Sequence, residues 1–596
     1  MYAKLLRHIV ALNQWRKRHI SQEDFLIIAA VIVGILGGLA ASLLKLLTHS
    51  VANFLQNDFH WEYKYFLYFL FPFSGIVLTT LYLKIFIRKR PFYSGITPLI
   101  KSVIHNQSRL DFHNIYSQVI TSALTVGMGG SAGLEAPSVS SGASIGSNLG
   151  RLFGLNYRET TLLLACGGAA GISGAFNSPI AGMIFAAEVL LPSFSIPAII
   201  PILISSAFAS VVSKLTHSEP LFVLVPKEWS LNSFWMYVIF GIIAGFYTVY
   251  FSWLNEKTHR FFGKRKSIYS RVLIGGVSLG VLVALFPAIY GEGYIAIQEL
   301  LDKNYTSLIK NSIFSGFQDS SMFLILFSFL TLLGKTWGCS ITMGSGGNGG
   351  MFGPSVGVGG LIGFVFAYSL NQTGWVNLNI TNFMIVGMAA SVSGMMHAPL
   401  TGIFLAAEIT GGYTLLVPLM VVAAIAYFIN KRIRKHSIYT KKLVEDGSFI
   451  ENYNKDESIL HSMRISHLVE KDYVVLNTND TVFEKRKEII NSERPVFAVT
   501  DDDNTFAGML GIEELIHFLV SKNPSEQNQL IGNIVQPTRH VIIINMPMKK
   551  VLELMDQKNT RILPVVDTEN KYIGFVTKNQ IFKKYRKDLI WYDDII

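Results

Sequence analysis

The chain has 596 residues, of which 50% are apolar, 12% aromatic and only 15% charged, with a formal net charge of +11. A soluble globular chain carries about 25% charged residues, and mean hydropathy here is +0.38, so a soluble enzyme and a disordered or nucleic-acid-binding chain are both excluded. Two cysteines, Cys166 and Cys339, lie in apolar or Gly-rich sequence and build neither a disulfide framework nor a cysteine metal site.

Residues 1–23 hold Lys4, Arg7, Arg16, Lys17 and Arg18 without a long apolar core, and read as a cytoplasmic segment rather than a cleaved signal peptide. Apolar runs follow at 24–47, 64–87, 196–214, 233–252, 272–290, 321–338, 355–370, 381–407 and 412–430. Several are long enough to cross a bilayer, which takes about 20 residues. Basic clusters flank them at 84–90, 260–266 and 431–435. Two spans separate the N-terminal cluster from that at 84–90, which puts both in the cytoplasm by the positive-inside rule, and Lys431 to Lys435 put the C-terminus there too. The expectation is an integral multi-pass protein of the cell membrane, with lipid rather than nucleic acid as its partner.

Between about 91 and 190, and again between 340 and 410, Gly, Ser and Pro interrupt the apolar pattern. A membrane tolerates irregular backbone only where it is buried in protein or lines a cavity, so these stretches point to a site. Residues 169–189 align at a constant offset of 220 with 389–409, sharing Ser173/Ser393, Gly174/Gly394, Pro179/Pro399 and Glu188/Glu408 among others. Just upstream, Pro137-Ser138-Val139 matches Pro354-Ser355-Val356. Paired halves with broken helices are a transporter signature, with the site at the repeat interface. The alignment alone leaves parallel and inverted repeats both open.

After about 441 the composition becomes that of a soluble domain. Strands at 474–476, 496–500 and 506–510 with helices at 481–491 and 512–520 are expected, followed by the same order at 541–545, 547–557, 562–566 and 571–576 with a last helix. Phe497–Asp501 matches Leu563–Asp567 at an offset of 66, so two tandem β-α-β-β-α modules are predicted.

Three segments carry the chemistry: Ser94-Gly95-Ile96-Thr97-Pro98, Gly133-Leu134-Glu135-Ala136-Pro137 and Gly349-Gly350-Met351-Phe352-Gly353-Pro354. Each sets Pro in a helix's first turn, where its missing N–H costs nothing, after small residues that permit close backbone approach. Helix N-termini present free N–H groups and partial positive charge. Three of them converging would bind an anion without Lys or Arg, weakly enough to let it leave. Glu135 sits in the break itself, where a carboxylate can take the anion's place as a tethered block that leaves on protonation or displacement. Its counterpart at an offset of 217 is Phe352. Glu188 and Glu408, at equivalent helix ends, read as capping or packing groups rather than proton relays, and Lys335 and His397 as locally satisfied. No nucleophile–base pair, P-loop or metal-ligand spacing is visible, so no enzyme activity, metal or required cofactor is expected.

These segments, with Tyr439 after the last apolar run, resemble the signature of the CLC family of chloride channels and proton–chloride exchangers, and the tail resembles the paired CBS modules that many members carry. The resemblance implies a polytopic all-α membrane protein with two inverted structural repeats and broken half-helices, a C-terminal cytoplasmic α/β CBS pair, and a homodimer with one pore per subunit. Expected boundaries are 24–440 for the membrane domain (repeats at about 24–215 and 233–440), 441–463 for a linker, and 464–520 and 529–590 for the modules. Ser94 and Tyr439 match the hydroxyls that bind the central chloride, Met351 and Phe352 the backbone N–H groups that face it, and Glu135 the gating glutamate.

Departures from the family pattern are Tyr93 and Thr97 around the serine, where Gly and Pro are usual, and Leu134 and Ala136 around the glutamate, where a cation and Gly are usual. Val189 stands at the coupling position, where proton-coupled members carry an internal glutamate. The expected function is therefore a chloride-selective passive channel with a glutamate gate; the alternatives are a proton-coupled chloride exchanger and, less favoured, a membrane scaffold reading nucleotides through its tail. In the CBS pair, Glu514 and Gln580 stand at the places matching the acid that holds a ribose, so an adenine nucleotide there is weakly supported.

Overall fold

The computed structural model describes residues 13–57, 64–88, 92, 94–191, 196–216, 222, 226–310, 312–446, 460, 463–535 and 540–593. Tyr93, Lys4 and Arg7 thus lie outside the described residues. The chain divides into two compact units, Met1–Phe449 and Ile450–Ile596.

The first unit is helical: α1 Gln22–Asn57, α2 Lys64–Tyr82, α3 Thr97–His105, α4 Asn114–Gly127, α5 Glu135–Leu152, α6 Tyr157–Phe176, α7 Pro179–Phe185, α8 Ile196–Thr216, α9 Phe234–Gly263, α10 Ile268–Leu285, α11 Tyr294–Leu301, α12 Ser321–Ser345, α13 Phe352–Gln372, α14 Ile380–Met396, α15 Pro399–Ile409 and α16 Leu416–Ile433. Among the described residues, eight helices are long and apolar enough to cross a bilayer. This is an integral multi-pass membrane protein. Glu256 gathers the basic clusters on one side of the unit: its carboxylate pairs with Arg260 and Arg434 and lies 3.5 Å from Lys441. Lys84 donates to Tyr269 Oη at 2.6 Å, next to the 260–266 cluster.

Two apolar runs are shorter as helices than as sequence. The run at 381–407 is two helices, because His397 takes a left-handed φ of 56° and Pro399 opens the next helix. The run at 272–290 stops at Leu285, because Pro287 disfavours helical geometry at Phe286. Helix α4, at 14 residues, is too short to cross a bilayer, and α5 and α6 are diluted with Ser, Gly and Ala, yet most residues of all three are buried inside the unit.

The repeats reproduce one another in detail. Helix α5 crosses α6 at Gly142 and Gly167, where an added Cβ would lie about 2 Å from the facing carbonyl, at 2.1 and 1.9 Å. Their counterparts Gly359 and Gly387, offset by 217 and 220, make the same α13–α14 crossing with 2.2 Å on each side. Only glycine lets two helix backbones meet this closely. Asn177 and His397, offset by 220, both adopt left-handed φ before an N1 proline. Gly133 and Gly350 form an antiparallel bridge with each other, with N···O distances of 2.9 and 2.8 Å. An antiparallel bridge between equivalent residues is what a two-fold axis through the pair generates, the relation on which inverted repeats are built.

The second unit holds two three-stranded sheets. In one, β1 Val475–Asn477 runs parallel to β2 Val496–Thr500, and β2 runs antiparallel to β3 Phe506–Gly511. The other repeats this with β4 Ile542–Ile543, β5 Ile562–Val566 and β6 Tyr572–Thr577. Both break register at equivalent places, Val499/Thr500 and Val565/Val566. Helices α17 Val482–Ile490, α18 Ile512–Val520, α19 Met548–Gln557 and α20 Lys578–Asp593 complete the expected order. The modules exchange turn contacts symmetrically: Phe506 N–H donates to Asn570 O at 3.0 Å and Tyr572 N–H to Asn504 O at 3.1 Å. Met463, Ile465 and Leu468, expected at the linker and first module, instead pack in the second module's core, and Glu470 pairs with Phe575 of β6. At the other end of the linker, Leu443 packs into the core of the membrane unit.

Candidate functional site

The Gly133–Gly350 bridge brings the N-termini of α5 and α13 together, one from each repeat. Neither N-cap residue, Leu134 or Met351, caps its helix with a side chain, so the first N–H groups of both remain for other acceptors. Glu135, the first residue of α5, is 1% exposed, and its carboxylate reaches across to the other repeat. Its Oε2 accepts from Gly353 N–H of α13 at 3.0 Å, and its Oε1 accepts from Tyr294 Oη at 2.5 Å.

Glycines make room for this carboxylate. A Cβ at Gly133 would lie 2.1 Å from Glu135 Oε2, and one at Gly353 would lie 2.8 Å from both carboxylate oxygens. The close approach that the small residues foretold is thus an approach to Glu135 itself. Phe352, its counterpart, is fully buried between Phe176 and Phe185, with ring centroids 5.5 and 5.9 Å away. The N–H groups of Met351 and Phe352 precede that of Gly353 at the same helix start.

Helix α3 begins against the segment that carries Tyr439. Thr97 Oγ1 donates to the carbonyl of Tyr439 at 2.9 Å, which ties the segment after Ser94 to the one carrying Tyr439. Tyr439 is buried and its hydroxyl points to Met396 Sδ at 3.3 Å, whereas Ser94 is half-buried at the α3 entrance. Tyr439, Ile96, Met351, Phe352 and Tyr294 all belong to one apolar core. In this apolar shell the Glu135 carboxylate occupies two donors, the N–H of Gly353 and the hydroxyl of Tyr294.

The family profile for voltage-gated chloride channels matches residues 75–431, and that for the CBS domain matches residues 531–587. The chain belongs to the CLC family. An H+/Cl− exchange transporter, ClcA, of Vibrio campbellii is 26% identical over 452 residues, which cover 73% of this chain and 92% of that protein. A voltage-gated ClC-type chloride channel, ClcB, of Escherichia coli is 28% identical over 341 residues, covering 56% of this chain and 77% of that one. Among solved structures, a slow cyanobacterial Cl−/H+ antiporter superposes with a TM-score of 0.61 at 24% identity, over 71% of this chain and 97% of the other.

Within this CLC protein, Leu134 is buried beside Val119 and Val126 of α4. Cations enter the neighbourhood of Glu135 from other elements instead: Lys45 of α1 and Lys335 of α12 both interact electrostatically with Glu135 and Glu292. Lys335 is satisfied by the carbonyls of Gly291 at 2.7 Å and Ile289 at 3.2 Å, and His397 lies 3.1 Å from Asn430 Oδ1. Val189 lies half-buried in a π-helical turn, Ala186–Leu190, packed against the core. Its neighbour Glu188 accepts from the first N–H groups of α15, so capping accounts for both of its oxygens.

In the tail, Glu514 accepts from Gly511 N–H at 2.8 Å and caps α18, while Gln580 N–H donates to Thr577 Oγ1 at 3.2 Å in the first turn of α20. A cleft of about 610 Å³ opens elsewhere, lined by 463–466 and 544–549 with Arg464 and Lys549 on its walls. The sequence reading missed Tyr294. Its signal was slight: two glycines, Gly291 and Gly293, bracket Glu292 just before it, and both take left-handed φ.

Proposed function

We propose that the protein is a proton-coupled chloride exchanger with Glu135 as its gate. The observation that carries this reading is the position of the Glu135 carboxylate, which accepts from Gly353 N–H of the opposite half-helix and from Tyr294. A titratable anion on donors that would otherwise serve chloride makes ion entry and protonation competing events, which is the minimum a coupled exchanger requires. The likeness to ClcA, named an exchange transporter over nearly its whole length, supports the same choice. Ser94, Tyr439, Met351 and Phe352 supply the donors of the chloride site in this reading, with one pore in each subunit of a homodimer.

Passive conduction is the second reading, favoured by Val189: no acid stands at the coupling position, so a proton leaving Glu135 must pass through water. Liposomes under combined chloride and proton gradients separate the two. Exchange predicts that a chloride gradient drives protons uphill and displaces the reversal potential from that of chloride. Reversal at the chloride potential with no proton movement removes exchange and leaves the channel.

The basic clusters gathered around Glu256 and Tyr269 support a cytoplasmic position for that side, for both termini and for the tail, in a cell-membrane protein. For the CBS pair, the cleft with Arg464 and Lys549 supports an adenine nucleotide bound through its phosphates.

A further inference from the structure

The hydroxyl that completes the donor set of Glu135 comes from none of the three segments. Tyr294 opens α11, at the end of a strap that leaves α10 at Phe286. We propose that Tyr294 is a positioning residue for the gate: its hydroxyl holds the Glu135 carboxylate in the ion's place and sets the pH at which it lets go. The inference rests on the reading of Glu135 as the gate.

Three features fix that hydroxyl before the carboxylate arrives. The backbone is pinned: Lys335 Nζ donates to Gly291 O and Ile289 O, and Tyr290 Oη donates to Gly127 O at 2.9 Å. Gly291 and Gly293 turn the strap through φ values of 58° and 85°, which side chains rarely adopt, and a Cβ at Gly293 would meet Lys335 Nζ at 3.0 Å. The ring is wedged: it stands edge-on to Phe222 at 5.6 Å and to Phe176 at 6.4 Å, and is 8% exposed. Phe176 also touches Phe352 at 5.5 Å, so the ring that steadies Tyr294 also packs the opposite half-helix.

An O–H···O⁻ bond of 2.5 Å in a buried setting is charge-assisted, and stronger to the carboxylate than to the acid. It therefore opposes protonation and release. Other groups act on Glu135 as well: Glu292 beside Tyr294, itself 3.9 Å from His49 of α1; Lys45 of α1; Lys335 and Cys339 of α12; and Tyr439. Changing the Tyr294 hydroxyl leaves all of these in place.

The test is chloride flux against pH for the full chain in liposomes, comparing wild type, Tyr294→Phe, Glu135→Gln and the double variant. Tyr294→Phe keeps the ring and should move the midpoint about one pH unit to the alkaline side, roughly the worth of one hydrogen bond to a charged group. It should add nothing to Glu135→Gln. Site-specific 3-fluorotyrosine at 294, a stronger donor, should move the midpoint the opposite way, a shift that a packing role does not produce. An unmoved midpoint in both, or equal effects with and without Glu135, overturns the latch while Glu135→Gln still abolishes pH dependence. If Glu135→Gln itself keeps the wild-type pH profile, the gate reading fails and the latch goes with it.

Discussion

Glu188 and Glu408 exchange helix caps. Glu188 accepts from Leu400 N–H at 3.0 Å and Thr401 N–H at 2.8 Å, the start of the helix whose last turn holds Glu408. Glu408 accepts in turn from Ile180 N–H at 2.9 Å and Ala181 N–H at 2.8 Å, the start of the helix whose π-helical end holds Glu188. Every pair is related by the offset of 220, so the exchange is the repeat symmetry expressed in hydrogen bonds.

Each carboxylate neutralises the orphan donors and the positive end of the opposite helix, so removing its charge should cost about 1–2 kcal/mol. Glu188→Gln and Glu408→Gln are each expected to lower the thermal midpoint of the purified protein by a few degrees, with a non-additive double variant. Because Glu188 is spent as a cap, Glu188→Gln should leave the ratio of protons to chloride unchanged. A lost ratio at unchanged stability would make Glu188 a relay instead.

Thr97 replaces the family's usual proline and gains a bond to Tyr439 O at 2.9 Å. Thr97→Val removes the hydroxyl at nearly constant shape and should cost about 1 kcal/mol of local order, loosening Tyr439 against Ser94. The expected readout is a reduced preference for chloride over nitrate, retained in Thr97→Ser. Ser94→Pro should shift preference further toward nitrate, and unchanged selectivity there removes Ser94 from the anion path.

Gly353 faces the carboxylate with no room to spare: a Cβ there would lie 2.7 Å from Tyr294 Oη and 2.8 Å from both oxygens of Glu135. Gly353→Ala puts a methyl group where the far end of the Glu135 side chain rests, and that end is the part free to move. Chloride flux at neutral pH should rise to the level that wild type reaches only in acid, with a flattened pH curve. Flux that keeps its wild-type pH curve would show that the carboxylate rests elsewhere in the working protein.

The repeat was readable because symmetry preserves residue identity where geometry is strict. Pro179/Pro399 and Glu188/Glu408 occupy helix starts and caps that admit few alternatives. The break at His397 was hidden because Met395, Met396 and Ala398 around it are as apolar as the helices on either side. Tyr294 was hidden for a different reason. It acts across 159 residues of sequence, on a strap whose shape depends on Lys335 and Gly127 from two other helices. No local pattern encodes such a contact. The tail was legible almost strand by strand, yet the packing of Met463 and Ile465 into the second module was not, since the order of strands says nothing about which sheet a preceding segment joins.

The π-helical turn at Ala186–Leu190 gives the last prediction. Val189 is half-buried there among apolar neighbours, and capping accounts for both oxygens of Glu188, so no carboxylate is free to pass on a proton from that turn. If protons travel through water at this point, their transfer is the slow step, and an acid at position 189 should speed it. Val189→Glu adds a buried carboxylate, which costs stability unless it stays protonated or wetted. Proton flux driven by a chloride gradient is expected to rise in Val189→Glu, with Glu135 still required, because the added group shortens the path without replacing the gate. Chloride flux measured alone should change less than proton flux. A variant that folds and moves no more protons than wild type would place the slow step at Glu135 rather than on the route past Val189.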